Sequence, residues 1–397
     1  MKPVLRFPEF NASWKENRLK DIAYINPKSD ITKPDIINYI DLESVNGNKV
    51  TDIKRIYKED APSRAQRVAK YQDIFFQTVR PYQQNNFIYD FDIRNVVVST
   101  GYAQIRVRQD AYYIFTLLHT HRFLISVLMN CTGSNYPAIN GTDLSNIKVI
   151  YSSDKEEQKR IGDLFYKLNL QIELEEKKLK LLEQQKRGYM QKIFSQELRF
   201  KDENGNNYPE WKKKKLINIV TPLKGQDENI NNLPVLTISA SRGWLNQKER
   251  FSHIIAGKSL KKYTQVKKND LSYNKGNSKV AKYGIVFRLE NEALVPNVYK
   301  SFRPNENINS VFIEKYFHNK TLDKQLRTRI TSTARTDGLL NISDQDFYNI
   351  KLYIPTLKEQ IKIGNFFEKI DDLIEKQNLK IKQLKHRKKG LLQKMFI

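Results

Sequence analysis

The sequence predicts an α+β chain of two globular segments and two long helices, the helices pairing as an antiparallel coiled coil within a pseudo-two-fold repeat. Three observations predict it. The chain repeats its own helix-like segments at one offset: with Glu157-Gln158 laid on Glu359-Gln360, Ile161 meets Ile363, Gly162 meets Gly364, Phe165 meets Phe367 and Leu182 meets Leu384. Gly188 then meets Gly390 and Phe194 meets Phe396, with no gap. Both segments carry apolar seams far longer than the 8–20 residues usual for a globular helix. Between them, strand-like runs (NVVVSTGYAQIRV, YGIVFRL) alternate with helix-like ones (YIFTLLHTHRFLISVLM, VFIEKYFHNKTLDKQLRTRI).

In chain order the expected parts are a first globular segment, 1–153, a first long helix, 154–197, a second globular segment, 198–357, and a second long helix, 358–397. Each globular segment opens alike: LRF stands at Leu5 and again at Leu198, and Trp14-Lys15 to Leu19 is echoed by Trp211-Lys212 to Leu216. Just before each helix, DLSNIKV (143–149) matches DFYNIKL (346–352). The interiors, 25–140 and 222–340, share little beyond a theme of strand followed by polar, basic loop. The first seam runs through Ile161, Phe165, Leu168, Ile172, Leu179, Leu182, Tyr189 and Ile193, with Glu175 and Lys186 at two skipped positions. The second runs through Ile363, Phe367, Ile370, Ile374, Ile381, Leu384, Leu391 and Met395, and its skipped positions, Gln377 and Lys388, fall at the same places. Matching seams with matching polar interruptions suit a helix pair of fixed register and fixed length.

Composition narrows the partner. Aromatic residues make up 11% of the chain, a payload that a disordered chain lacks. The net charge of +25 points to a polyanion. Charge is uneven: the segments carry net +5, +1, +13 and +6 in chain order, so most of it lies on the globular parts. Basic globular heads with helices between them favour nucleic acid over a membrane surface. The single cysteine, Cys131, fits a reducing cytosol. His119 and His121 form an H-x-H near it, but no fourth ligand is at hand, so they read as residues of a mostly buried helix rather than as a zinc site. No signal peptide and no membrane helix are expected, and the predicted location is the cytoplasm.

Lysine and arginine neutralise phosphates, whereas polar side chains on loops read bases. In the first segment the loop QTVRPYQQNN offers Gln77, Arg80, Tyr82, Gln83, Gln84, Asn85 and Asn86, and VSTGYAQ adds Ser99, Thr100 and Tyr102. In the second, SYNKGNSKVAK offers Asn274, Lys275, Asn277 and Lys279, and TSTARTDG adds Ser332, Arg335 and Thr336. Arginine can take guanine with two bonds and Asn or Gln can take adenine, so these sets are the candidate DNA contacts.

There is no phosphate-binding G-x-x-x-x-G-K-[ST], no G-x-S-x-G, no H-E-x-x-H and no adenine-methyltransferase N-P-P-[FY]. Pro34-Asp35 followed by Asp52-x-Lys54 formally fits a magnesium-dependent nuclease layout, but it has no counterpart in the second half. Two alternatives therefore stand beside DNA recognition: a stand-alone nuclease using Asp35, Asp52 and Lys54, and a coiled-coil adaptor that binds only proteins.

The layout as a whole resembles the DNA-specificity subunit of bacterial type I restriction–modification enzymes. The resemblance spans the chain and rests on the LRF…PE…W openings, the EQ…IG…F helix starts, Q-D-I-F-F…R-P-Y, and the endings KRGYMQKIF and KKGLLQKMF. It implies two target-recognition domains, each reading one half of a bipartite, asymmetric DNA site, with the helices setting the unread gap. It further implies that the helices dock two modification subunits, which use S-adenosylmethionine to methylate adenine N6, and that ATP- and magnesium-dependent restriction subunits join that core in bacterial defence. This chain would hold no cofactor and no catalytic residue. Two copies of a partner require two copies of a docking surface, which makes Gly188, Gln191, Lys192 and Phe194, with Gly390, Gln393, Lys394 and Phe396, the candidate docking residues. The two glycines read as points of close approach, between the helices or to the partner, or else as breaks near a helix end.

Overall fold

A computed structural model describes residues 2–28, 34–226, 233–248, 257–276, 281–330 and 340–396. The chain divides into two compact units, 1–177 with 378–397, and 178–377. The division runs through both long helices, α2 (Lys155–Phe194) and α4 (Leu357–Met395), so each unit holds the start of one and the end of the other.

That partition gives the helix pair its direction. In the first unit Phe165 lies against Phe396 (ring centroids 6.0 Å apart), Glu176 pairs with Lys385 at 2.8 Å and Glu175 with Lys380 at 2.5 Å. In the second, Lys186 pairs with Asp371, Tyr189 meets Phe366 at 5.2 Å and Phe194 stacks on Phe367 at 6.0 Å. Rising positions on α2 meet falling positions on α4 in both units, so the pairing is antiparallel, as the sequence predicts. The seam is buried at Ile161, Phe165, Leu168, Ile172 and Ile193, and at Ile363, Phe367, Ile381 and Met395. It departs from expectation at Tyr189, which is exposed while Met190 is buried; the phenol ring lies edge-on to Phe366.

The two units share more than their helices. In the first, β1 (Ala23–Ile25), β2 (Ile74–Gln77), β3 (Phe87–Ile88) and β4 (Tyr102–Val107) form an antiparallel sheet in the order β1-β4-β2-β3. In the second, β5 (Val220–Leu223), β6 (Leu271–Asn274), β7 (Ile285–Arg288) and β8 (Lys300–Pro304) repeat that order as β5-β8-β6-β7. The same acidic residue staples each sheet. Asp73 accepts both guanidinium bonds of Arg106 at 2.8 Å and the Lys70 backbone N–H at 2.8 Å; Asp270 accepts Arg303 at 2.7 and 2.8 Å and the Lys267 N–H at 2.8 Å. The interiors, which look unrelated as sequence, are thus variants of one design.

Beyond this sheet they differ. The first unit adds a mixed four-stranded sheet, with Val96–Ser99 between Ile36–Ile40 and Ala65–Val68; the second has two-stranded pairings, Leu236–Ser239 with Gly243–Asn246 and Thr264–Val266 with Ala293–Val295.

The repeated motifs act where each globular part meets its long helix. Glu157, fully buried, accepts from Arg6 Nε at 2.6 Å, Arg6 Nη2 at 2.8 Å and Trp14 Nε1 at 3.2 Å. Glu359 does the same with Arg199 (3.2 and 2.7 Å) and Trp211 (3.2 Å). The glutamine that follows faces the other way: Gln158 Oε1 accepts from the Asp110 N–H at 3.2 Å and Gln360 Oε1 from the Asn309 N–H at 2.8 Å. Asp110 and Asn309 are the N-caps of α1 (Ala111–Leu117) and α3 (Ser310–His318). Gly162 and Gly364 lie under those caps. A Cβ at Gly162 would come within 2.9 Å of the Tyr113 backbone nitrogen, and one at Gly364 within 3.2 Å of Asn309 Oδ1. Here the glycine is needed for close approach, because the cap of α1 or α3 rests directly on the long helix.

Candidate nucleic-acid interface

The loop that follows β2 is built from beneath by some of the residues singled out as DNA contacts. Gln77 is buried: its Nε2 donates to Val79 O and Gln83 Oε1, both at 2.8 Å, and its Oε1 accepts the Asn85 N–H at 3.1 Å. Asn86 is buried too, accepting the Gln77 N–H at 2.8 Å. Asn48 reaches across to Gln84 O at 2.7 Å and Asn86 O at 3.0 Å. Buried amides bonded at both the oxygen and the nitrogen fix a loop rather than read a base.

Above this scaffold the loop presents Tyr82 and Gln83, both exposed, with Arg80, Gln84 and Asn85 half-buried. Arg80 and Gln84 both adopt left-handed backbone, at φ 53° and 51°, a cost borne by the short 3₁₀ turn Pro81–Gln83 between them. Asn85 Oδ1 is taken by the Gly47 N–H at 3.1 Å. Arg80 is held twice. Its N–H donates to Pro137 O at 2.8 Å, and its guanidinium lies 4.4 Å over the ring of Tyr136, which is itself 65% exposed. Tyr136 escaped the sequence reading because nothing local ties residue 136 to the 77–86 loop; only the strand-like bridge between Val79 and Ala138 brings them together.

The second predicted set in this unit is placed differently. Ser99 is buried and accepts the Gly101 N–H at 3.2 Å, and the Thr100 N–H donates to Arg64 O at 2.8 Å. Tyr102 is wholly buried against Phe87, its hydroxyl without a partner among the described residues, and burial pushes the phenol far above its usual range. Ser99 and Tyr102 thus belong to a turn and a core, not to an accessible surface.

In the second unit the equivalent strand end is β6. Asn274 is half-buried, donating to Ile238 O at 3.2 Å and accepting the Gly276 N–H at 2.9 Å, and Lys275 O accepts the Leu340 N–H at 2.9 Å. The first unit has the matching bond, Ile139 N–H to Thr78 O at 3.0 Å. Asn277, Lys279, Ser332, Arg335 and Thr336 lie outside the described residues. A basic strip accompanies this unit: Lys212–Lys215, all four exposed, form a strand against Lys351–Ile354.

His119 is a satisfied structural histidine. Its Nδ1 donates to Phe115 O at 2.6 Å, and its Nε2 accepts from Asn48 at 2.7 Å and Asn86 at 3.2 Å. Burial pushes its pKa down to about 4, so the ring is neutral at pH 7. Among the described residues no cluster of three or more metal-ligating side chains forms. Lys54, of the nuclease layout, is tied to Asp41 at 2.5 Å.

The candidate docking residues separate into two kinds. Gln191, Lys192, Gln393 and Lys394 are exposed. Phe194 packs among Trp211, Phe312, Tyr316 and Phe367, and Phe396 among Trp14, Tyr113 and Phe165. Both phenylalanines therefore serve the cores of their own units. Among the described residues a Cβ on Gly188 or Gly390 would meet nothing within 4 Å, so close approach between the helices is not what these glycines provide.

Comparison with known proteins adds to this geometry. Residues 11–184 and 208–386 each match the type I restriction modification DNA specificity domain. The specificity subunit of the type I restriction enzyme HindI from Haemophilus influenzae is 26% identical over 179 residues, 44% of this chain and 39% of that subunit's length. The type I restriction–modification S subunit from M. genitalium is 14% identical with a TM-score of 0.63, covering 100% of this chain and 99% of that one. A chain solved in work on complex assembly and conformational transition of the type I R-M system is 18% identical with a TM-score of 0.57, covering 98% of each. The duplicated match takes in both units, with their shared sheet, polar loops and long helices, and the chain belongs to the type I restriction modification DNA specificity family.

Proposed function

We propose that this chain reads a bipartite, asymmetric site on double-stranded DNA, each unit reading one half. One observation carries the reading: two sheets of identical strand order present different side chains from the same strand end, Arg80-Pro81-Tyr82-Gln83-Gln84 after β2 and Lys275-Gly276 after β6. One scaffold with two loop sequences suits two unlike half-sites. Arg80, Tyr82, Gln83 and Gln84 are the proposed base readers of the first half, and the exposed lysines 212–215 belong to phosphate neutralisation. The antiparallel helices set the gap and dock two modification subunits through faces that include Gln191, Lys192, Gln393 and Lys394. S-adenosylmethionine, ATP and magnesium belong to partner subunits in this reading, and this chain positions them without catalysing.

The test is equilibrium binding of the chain, alone and with its modification subunit, to a randomised duplex library at several salt concentrations. Selection of a split motif, with affinity falling steeply as salt rises, supports the reading. Binding indifferent to both DNA sequence and salt returns the protein-only adaptor.

A further inference from the structure

The internal repeat makes each unit a natural control for the other, and one charge cluster fails to match. In the second unit Lys186 on α2 sits in a closed charge network. Asp371 takes Lys186 and also Lys315 (3.0 Å), Lys315 takes Glu314 (3.0 Å), and Glu314 accepts the Arg288 N–H at 2.8 Å. Although burial works against it, the two lysines hold Asp371 below the usual carboxylate range.

The repeat places Lys388 and Asn169 where the second unit has Lys186 and Asp371. Matching the N-caps Asp110 and Asn309 places Phe115 and Thr116 where it has Glu314 and Lys315, and His119 where it has His318. The first unit thus keeps one lysine and the histidine and lacks the second lysine and both carboxylates. Among the described residues Lys388 makes no ion pair or hydrogen bond, and burial, then Lys385, depresses its pKa. It lines a cleft of about 1620 Å³ whose walls include Asn169, Phe165, Leu392 and Arg122. The carboxylates of that cleft are engaged: Glu173 and Glu176 hold Lys49 at 3.8 and 3.3 Å, Glu176 also holds Lys385, and Asp90 accepts from the Tyr112 hydroxyl at 2.9 Å.

We infer that a partner protein completes this cleft by inserting an acidic side chain beside Lys388, supplying in trans what Asp371 supplies in cis at Lys186. A half-buried ammonium without a counter-ion costs stability that an incoming carboxylate recovers. The group missing by internal comparison is a carboxylate, and the cleft's apolar floor of Phe165, Ile172 and Leu392 suits a protein segment better than a hydrated phosphate backbone. The two units are then unequal as docking sites, one completed internally and one by the partner. The inference rests on the reading that the helices dock modification subunits.

The experiment measures assembly of the full chain with purified modification subunit by native mass spectrometry and titration calorimetry. Two variants are compared with wild type: Lys388→Gln, which removes the cation, and Asn169→Asp, which installs the missing carboxylate. Circular dichroism checks that both are folded. Each variant is expected to weaken one of the two modification-subunit sites about tenfold or more and leave the other unchanged. Two unaltered sites in both variants overturn the inference while leaving docking intact. Loss of DNA affinity with unaltered subunit binding overturns it in favour of a phosphate at Lys388. A wild-type chain that binds no modification subunit overturns it together with the docking reading.

Discussion

Substituting Glu157→Gln tests how the repeated opening segment is fixed to the helix. The carboxylate is wholly buried and holds Arg6 by two bonds, 2.6 and 2.8 Å, and Trp14 by a third at 3.2 Å. Truncation that leaves a buried charge unpaired costs about 3–5 kcal/mol. Glutamine keeps one acceptor oxygen but turns the other into a donor facing a donor, so the expected loss is that of a charged hydrogen bond or slightly more, about 2–3 kcal/mol. The loss is local to the junction of residues 5–18 with α2. Hydrogen exchange by mass spectrometry should show that segment exchanging roughly 30- to 150-fold faster, at a factor of ten per 1.4 kcal/mol. The equivalent segment around Arg199 and Trp211, clamped by Glu359, serves as the internal control and should not change. Unaltered exchange at 5–18, or equal acceleration at both segments, would falsify the clamp.

Glycine substitutions should divide by position. Gly188→Ala and Gly390→Ala face open space and should raise the folded chain's stability by about 0.5–1 kcal/mol each, whereas Gly162→Ala, crowding the Tyr113 backbone, should lower it in thermal melts. Lowering the pH should destabilise the first unit. His119 is held neutral with a folded pKa of about 4 against 6.5 unfolded, so the unfolded chain binds the extra proton between those values. Stability is then complete above about pH 6.5 and falls by roughly 2 kcal/mol by pH 5, a slope that His119→Gln should flatten in urea titrations. Adding one heptad to each helix, after Glu175 and after Gln377, lengthens each by about 10 Å. Methylation mapping should then show the gap between half-sites widened by about three base pairs, with both half-sites unchanged.

The helices were legible in the sequence because their match is ungapped: a seam cannot gain or lose a residue without rotating its apolar face away from its partner. The sheet shared by the two units was not legible. The offset between equivalent residues drifts from 197 at Asp73 and Asp270 to 199 at Asp110 and Asn309 and 202 at Glu157 and Glu359. Insertions between strands are cheap in loops, so strand order survives while alignment is lost. The loop after β2 shows the limit of reading by residue type. Gln77, Asn85 and Asn86 have the chemistry of adenine readers, yet their polar groups are committed to holding the loop, and burial separates them from Tyr82 and Gln83. Tyr136 depended on a contact that only the folded chain makes. The repeat matched Gly162 with Gly364 without showing their role, and close approach occurs there rather than at Gly188 and Gly390, where the sequence placed it.

The measurement that bears most directly on the central claim is sequencing of N6-methyladenine in cells carrying this chain with its modification subunit, before and after residues 25–140 are replaced by those of another family member. The account predicts a split motif in which only one half changes while the other half and the gap stay fixed. A motif unaltered by the exchange, or altered in both halves, contradicts it.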